Sequence, residues 1–414
     1  MIFVNYLFLL LLSILIIFNR GGAAVGFGNI NAVSLLLALM PIYFVKSLKI
    51  INLKTDISLL LFVITSVSIA FFKVILTDID ASNVREIGIL LYPAVIFAGI
   101  FFTEYKKKIF SIFKYLNYIF LIATINFLIS PVIKKLFINF IIINNVSLLG
   151  YYGSYSFLTI SAFCWFSSGL GSLFINRKLL LLSAASSLIS GSRAAVIGLF
   201  IAFLGTLDKS FKKLLNFKNV QNIFFGITIL SAIVFLIFPI FVGLDVNIRG
   251  DYSPQYFLAS IKSIFNPFAN MEEYGTSLLG SRQHRIIMAL QAYFTLISKP
   301  SYFLFGMPFD LNYTGTSFND PHNSYVSLFA RGGIITLLTF LYSIIVFLKS
   351  LKFKSQLLIL NKINSFSFSF ILFSIFYIGL HPVLTSPMTG IPFYFLYGFI
   401  WALNSPRTKK MLTS

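Results

Sequence analysis

The richest chemistry in the chain sits at 320–333, which reads Asp-Pro-His-Asn-Ser-Tyr-Val-Ser-Leu-Phe-Ala-Arg-Gly-Gly. His322 is one of only three histidines. It follows the end of a polar interval and precedes an apolar run. An imidazole titrates near neutral pH, so at such a boundary it suits a base that takes a proton from a sugar hydroxyl. The plainer reading is a histidine that closes a helix end. Asn323 stands at the mouth of the apolar run. Arg331 falls some two turns further in, where a guanidinium is expensive unless paired or facing a polar cavity. It is therefore expected on a cavity wall, with Gly332 and Gly333 permitting a bend or close packing beside it.

Arginines supply the second half of the kit. Arg193 follows Ser190-Gly191-Ser192 and opens another apolar run. At the start of a helix the unpaired N–H groups and the positive dipole end already favour an anion. The competing reading is an arginine that snorkels to anchor the helix end. Arg282 and Arg285 are three positions apart, so on a helix they share a face and can grip one anion from two points. Six acids in the same interval (Asp245, Asp251, Glu272, Glu273, Asp310 and Asp320) offer ordinary surface pairing instead. His284 points away from the arginines on a helix and reads as surface. His381, before Pro382, reads as a boundary residue.

Other chemistries lack their residues. No phosphate-binding P-loop, dinucleotide glycine fingerprint or His-Glu-x-x-His motif occurs. Glu272 and Glu273 are adjacent and diverge on any regular element. The single cysteine, Cys164, excludes a disulfide framework and a cysteine-based metal site. The apolar runs are nearly free of carboxylates, which argues against ion-coupled transport. No metal or cofactor is expected. Arginine, histidine and asparagine at one membrane face suit an anionic, lipid-linked substrate.

The elements that must carry these residues are membrane helices. Of the 414 residues 58% are hydrophobic, and mean hydropathy is +0.90. Continuous apolar runs of spanning length, without alternation, predict an all-α polytopic protein and exclude a barrel. Roughly twelve spans are expected, at about 2–18, 30–46, 57–77, 88–103, 110–130, 154–174, 179–190, 193–207, 222–243, 324–348, 366–381 and 390–404. The seventh and eighth are short enough to form one re-entrant hairpin. The first resembles a signal peptide, but no Lys or Arg precedes it, and an uncleaved helix is expected.

The net charge of +20 suggests nucleic acid, and its distribution argues otherwise. No basic stripe is interleaved with aromatics, so no nucleic-acid partner is expected; the lysines instead cluster between apolar runs. With the N-terminus inside, inner loops hold 20 of the 32 basic residues and three of the 12 acids. That asymmetry is the positive-inside pattern and places both termini in the cytoplasm. The chain then divides into spans one to nine (1–243), an outer loop (244–323) and spans ten to twelve (324–414), all one membrane domain. Within the loop, 281–298 carries Ile286, Leu290, Tyr293, Phe294 and Ile297 at helical spacing, predicting an interfacial helix that Pro300 closes.

The order of several pieces resembles the O-antigen polymerase and O-antigen ligase superfamily of bacterial membrane glycan transferases. These are Gly-Ser-Arg at 191–193, Ser-Arg-x-x-Arg at 281–285 running into Ala-Leu-Gln-Ala-Tyr-Phe, Leu-Phe-Gly-Met-Pro at 304–308, His322-Asn323 and Gly332-Gly333. The resemblance covers about the C-terminal half. It implies an undecaprenyl-pyrophosphate-linked oligosaccharide as donor, a periplasmic site in the inner membrane, and metal-independent, inverting glycosyl transfer without a cofactor. It implies that Arg193 and Arg282, supported by Arg285, bind the pyrophosphate and that His322 activates the acceptor hydroxyl, with Asn323 holding the turn. A chain-length regulator is an implied protein partner. An arginine followed by glycine eleven positions on, a spacing of some polymerases, is not met, since Gly205 lies one residue too far from Arg193. Polymerase is the leading expectation. Ligase transfer to lipid A core stays open, as does a flippase, which would line a central cavity with its cations instead.

Overall fold

The computed structural model describes residues 2–18, 26–27, 30–76, 84–137, 142–143, 146–147, 155–170, 178–189, 193–206, 288–311, 323–351 and 358–413. These form a helical bundle. Two minimal antiparallel ladders accompany it, β1 (Gly26–Phe27) with β2 (Ile30–Asn31), and β3 (Ile142–Ile143) with β4 (Val146–Ser147). The expected ninth span, 222–243, lies outside the described residues.

The first half of the chain packs as α1 (Ile2–Phe18), α2 (Ala32–Ala38), α3 (Met40–Ser47), α4 (Leu53–Leu76), α5 (Val84–Leu91), a 3-10 turn (Tyr92–Val95), α6 (Ile96–Phe101) and α7 (Lys106–Phe137). There follow α8 (Tyr155–Ser167), α9 (Lys178–Ile189) and α10 (Arg193–Thr206). The last group is α11 (Met288–Ile297), α12 (Pro300–Phe305), α13 (Ser324–Ser350), α14 (Leu358–Leu380), α15 (Pro387–Leu403) and α16 (Pro406–Thr413). Among the described residues four helices are long and apolar enough to cross a bilayer, within α4, α7, α13 and α14, and several shorter ones are apolar throughout.

Two expected spans are interrupted. The span at 30–46 divides at Leu39, which ends α2 and precedes α3, because Pro41 has no N–H to continue the ladder. The span at 88–103 passes through the 3-10 turn that contains Pro93. A third expectation is corrected at Pro300. It does not merely close a helix; it occupies the first turn of α12, where its missing N–H costs nothing. The face of α11 differs too. Ala289, Ala292 and Leu296 turn inwards, while Phe294 and Ile297 are exposed.

Side-chain bonds fix which helix ends lie together. Trp401 Nε1 donates to Asp56 Oδ1 at 2.8 Å, and Arg407 Nη1 to the Lys49 carbonyl at 3.0 Å. Tyr43 Oη reaches Asn5 Oδ1 at 3.2 Å. The starts of α1 and α4 and the ends of α3 and α15 therefore share one end of the bundle, which is rich in lysine. At the opposite end Asn126 donates to the Ile17 carbonyl, and Ser324 Oγ to the His381 carbonyl at 2.8 Å. The carbonyls of a helix start or finish are thus taken up by polar side chains from another helix, as a low-dielectric setting demands.

Packing between helices relies on small residues and rings. A Cβ on Gly99 would stand 2.3 Å from the Phe395 carbonyl oxygen, and one on Gly398 2.2 Å from that of Ile96. α6 and α15 therefore cross backbone to backbone, the contact that small residues allow where lipid offers no hydrophobic drive to associate. Around this crossing Phe8, Tyr43, Phe102 and Phe395 pack with centroids 5.1–6.0 Å apart.

Candidate functional site

α13 begins where the sequence predicted. Asn323 is extended, with φ −135 and ψ 110, and its side chain accepts from the N–H groups of Tyr325 and Val326. Two orphan donors of the first turn are thereby satisfied. Ser324 Oγ donates to the His381 carbonyl and accepts from the Leu384 N–H at 3.0 Å. His381 is buried in the turn after α14 and stacks on Tyr377 with centroids 4.8 Å apart. The start of α13 is therefore pinned to the end of α14. His322, the residue just before the cap, lies outside the described residues, as do Arg282, His284 and Arg285.

Arg193 is the first residue of α10. α10 runs antiparallel to α14: a Cβ on Gly198 would meet Tyr377, and one on Gly205 would meet Ser369. At 1.5 Å per residue, Arg193 starts about 7 Å beyond Gly198 and His381 about 6 Å beyond Tyr377. The backbone at Arg193 is thus level with the His381 turn, and so with Ser324 and Asn323. The helix start bearing one predicted anion-binding residue and the cap that follows the predicted base share one end of the bundle. Gly205, whose spacing from Arg193 misses the polymerase pattern, is used for helix packing.

The same helix holds the most polar buried structure among the described residues. α13 breaks at Gly333, which has φ 69 and ψ −179. A break releases carbonyls that have no N–H four residues on, and each must find another donor. The Ala330 carbonyl accepts from the Met307 N–H at 2.7 Å. That of Arg331 accepts from Lys73 Nζ at 2.5 Å, and that of Gly332 from Thr336 Oγ1 at 2.7 Å. Lys73 Nζ also donates to the Met307 carbonyl at 2.7 Å and lies 5.5 Å from the centre of the Phe309 ring. All three freed groups have partners.

Arg331 works in the opposite direction. Its guanidinium donates to the Pro308 carbonyl and, at 3.3 Å, to that of Leu311. It is fully buried, and these backbone carbonyls are partners of its guanidinium. Gly306, with φ 80, brings its backbone so close that a Cβ would stand 2.5 Å from the Arg331 carbonyl. At Gly333 a Cβ would lie 2.1 Å from the Leu304 oxygen. Both glycines are required by positive φ and by contact. The segment 304–311 is thus threaded into the break.

No protein-family model matches this chain, and no curated protein does. Its function rests on residues and geometry.

Sequence reading missed Lys73. It stands in the run Phe-Phe-Lys-Val-Ile-Leu of α4 and is 7% exposed. A lysine inside an apolar span is costly, so the signal is present in the sequence, but the acceptors that explain it are not local. The carbonyls that engage it come from more than two hundred positions away.

Proposed function

We propose that the chain is an O-antigen polymerase that joins undecaprenyl-pyrophosphate-linked oligosaccharide units at the periplasmic face of a bacterial inner membrane. Both termini lie in the cytoplasm in this reading, and a chain-length regulator is its protein partner. The observation that carries it is the common level of the Arg193 helix start and the Asn323 cap, at the bundle end opposite the lysine-rich one. α10 finishes towards that lysine-rich end, whereas α11 lies beside Phe329 in the other half, with Tyr293 and Phe329 centroids 6.1 Å apart. The interval 207–287 is therefore entered and left at different depths, as a further span leading to an outer loop requires.

In the proposed transfer the acceptor hydroxyl oxygen bonds to the anomeric carbon as the bond from that carbon to the pyrophosphate oxygen breaks. The bonding pair leaves with undecaprenyl pyrophosphate, and the hydroxyl proton passes to His322. Attack opposite the leaving group inverts the anomeric centre. Arg193 and Arg282, with Arg285, take up the charge that grows on the leaving oxygens, through charge-assisted hydrogen bonds that strengthen in the transition state. Asn323 keeps the first turn of α13 in place. Arg331 holds the 308–311 backbone.

Purified protein supplied with lipid-linked repeat units alone should produce a ladder of longer chains. His322→Ala should lower the rate about 10²–10⁴-fold, the usual worth of general-base assistance, and Arg193→Ala about 10²–10³-fold. Both variants should insert and accumulate normally. Normal chain lengths with both changes would remove the site. Activity only after lipid A core is added would make the protein a ligase.

A further inference from the structure

We infer that Lys73 is a positioning residue for the proposed transfer, holding the outer segment of α13 from the neighbouring α4. The inference rests on the reading of His322 and Arg193 given above. The break at Gly333 divides α13 into a short segment beginning at Ser324 and a longer one ending at Ser350. The short segment is held at both ends. Asn323 caps its start, and Lys73 Nζ donates to the Arg331 carbonyl near its finish at 2.5 Å. The start is also held by Ser324 and Tyr325, on α14 and the turn after it, and the finish also by the Met307 N–H on the Ala330 carbonyl. The residue proposed as the base directly precedes the cap.

A lysine is an unusual way to satisfy a carbonyl in an apolar span. The neighbouring Gly332 carbonyl is served by the hydroxyl of Thr336. A hydroxyl on α4 has one hydrogen to donate, whereas the Lys73 amine has more than one. It bridges two carbonyls at once, those of Arg331 and Met307, and so ties the outer segment to the 306–311 turn.

The 306–311 turn is held from its other side by Arg331, through Pro308 and Leu311. α4 in turn is packed along α13, where Thr65 and Thr339 hydroxyls meet at 3.1 Å. Lys73 therefore references the tilt of the outer segment to a helix that belongs to the bundle's first half. If the donor is gripped at the start of α10 and the acceptor is activated at the start of α13, the relative placement of those two starts governs the rate. A displacement on the order of 1 Å is enough to cost about a hundredfold in such a reaction.

The test uses the full-length protein in lipid nanodiscs with purified lipid-linked repeat units, comparing wild type, Lys73→Met, Lys73→Gln, Lys73→Arg and His322→Ala. Lys73→Met keeps the stem and removes the donors. Expected is a fall in kcat of roughly tenfold or more with donor KM within about twofold, in protein that stays monodisperse at the assay temperature. Lys73→Arg, which keeps the donors, should recover part of the lost kcat, and a loss of packing alone would not be rescued in that way. Lys73→Gln is read if Lys73→Met does not accumulate. A kcat within about twofold of wild type in whichever neutral variant accumulates overturns the inference. Failure of both neutral variants to accumulate assigns Lys73 to folding and also overturns it. The underlying reading is judged separately: if His322→Ala retains wild-type kcat, the base is wrong whatever Lys73 does.

Discussion

Two of the helix interruptions among the described residues, one between α5 and α6 and one in α13, are finished in different ways. Between α5 and α6 the break contains Pro93, and the Leu90 carbonyl accepts from Ser66 Oγ at 2.9 Å. In α13 the break is at Gly333, and the freed carbonyls draw in a lysine, a threonine and a backbone N–H from another segment. The first is a local repair by one neutral side chain. The second joins α4, α13 and the 306–311 turn through two buried side chains, Lys73 and Arg331, each of which serves two carbonyls. Repair alone needs only a hydroxyl, so these bridging donors indicate that the α13 break also fixes the relative placement of three segments.

The largest effect that would expose this difference is at the glycines. Gly333→Ala puts a Cβ 2.1 Å from the Leu304 carbonyl at a position with φ 69. Neither the backbone oxygen nor the dihedral can give way without unthreading 304–311. A loss of about 3 kcal/mol or more is expected, read as a fall in the thermal unfolding midpoint in detergent. In the other interruption Gly88→Ala meets the ring of Tyr92, with its hydroxyl at 2.4 Å. A side chain can turn aside there, and the loss should be no more than about 1–2 kcal/mol. Equal losses at the two sites would mean that the α13 break is no more tightly specified than the α5–α6 break.

Next in size is the pair of donors. Lys73→Met leaves the Arg331 and Met307 carbonyls without their shared donor, and buried acceptors stripped in that way cost about 1–3 kcal/mol each. The total expected is about 3 kcal/mol, measured by the same unfolding assay. Arg331→Met should fall in the same range, because its guanidinium also serves two carbonyls. If the lysine and arginine hold one turn from two sides, the double variant should lose less than the sum of the single losses. Strict additivity would separate the two side chains into unrelated contacts.

How far the sequence revealed this depends on whether the decisive contact is local. The boundary at Asn323 was legible because the apolar run begins there; that its side chain caps the helix is seen only in the structure. The length of α1 followed from hydropathy alone. α14 did not: its start was expected at 366 and is at Leu358, since Asn361, Lys362 and Asn364 lower the local hydropathy although the helix continues through them. Arg331 was recognisable as a guanidinium that needed partners, yet those partners are backbone carbonyls at 308 and 311, a type of acceptor that every residue carries and no motif marks. The break at Pro93 was not expected, since hydropathy runs unbroken through 88–103, whereas Gly332-Gly333 gave permission for a bend without requiring one. Arg282, Arg285 and His322 remain what the sequence made them, since they lie outside the described residues.

The smallest expected effect tests the comparison from the neutral side. Ser66→Ala removes the hydroxyl that donates to the Leu90 carbonyl, while leaving helix packing little changed in shape. Ser66 is fully buried, so water has no ready route to replace it. A neutral hydrogen bond of this kind is worth about 1 kcal/mol, and the unfolding midpoint should drop by a few degrees. Chain lengthening should be unaffected at temperatures below that midpoint, because the α5–α6 break touches neither α10 nor the outer segment of α13 through any polar contact described above. Ser66→Thr, which keeps the hydroxyl, should restore much of the loss if the added methyl is accommodated. If Ser66→Ala instead lowers kcat as strongly as Lys73→Met at equal stability, position at the site is controlled by the bundle as a whole and not by the clasp on α13.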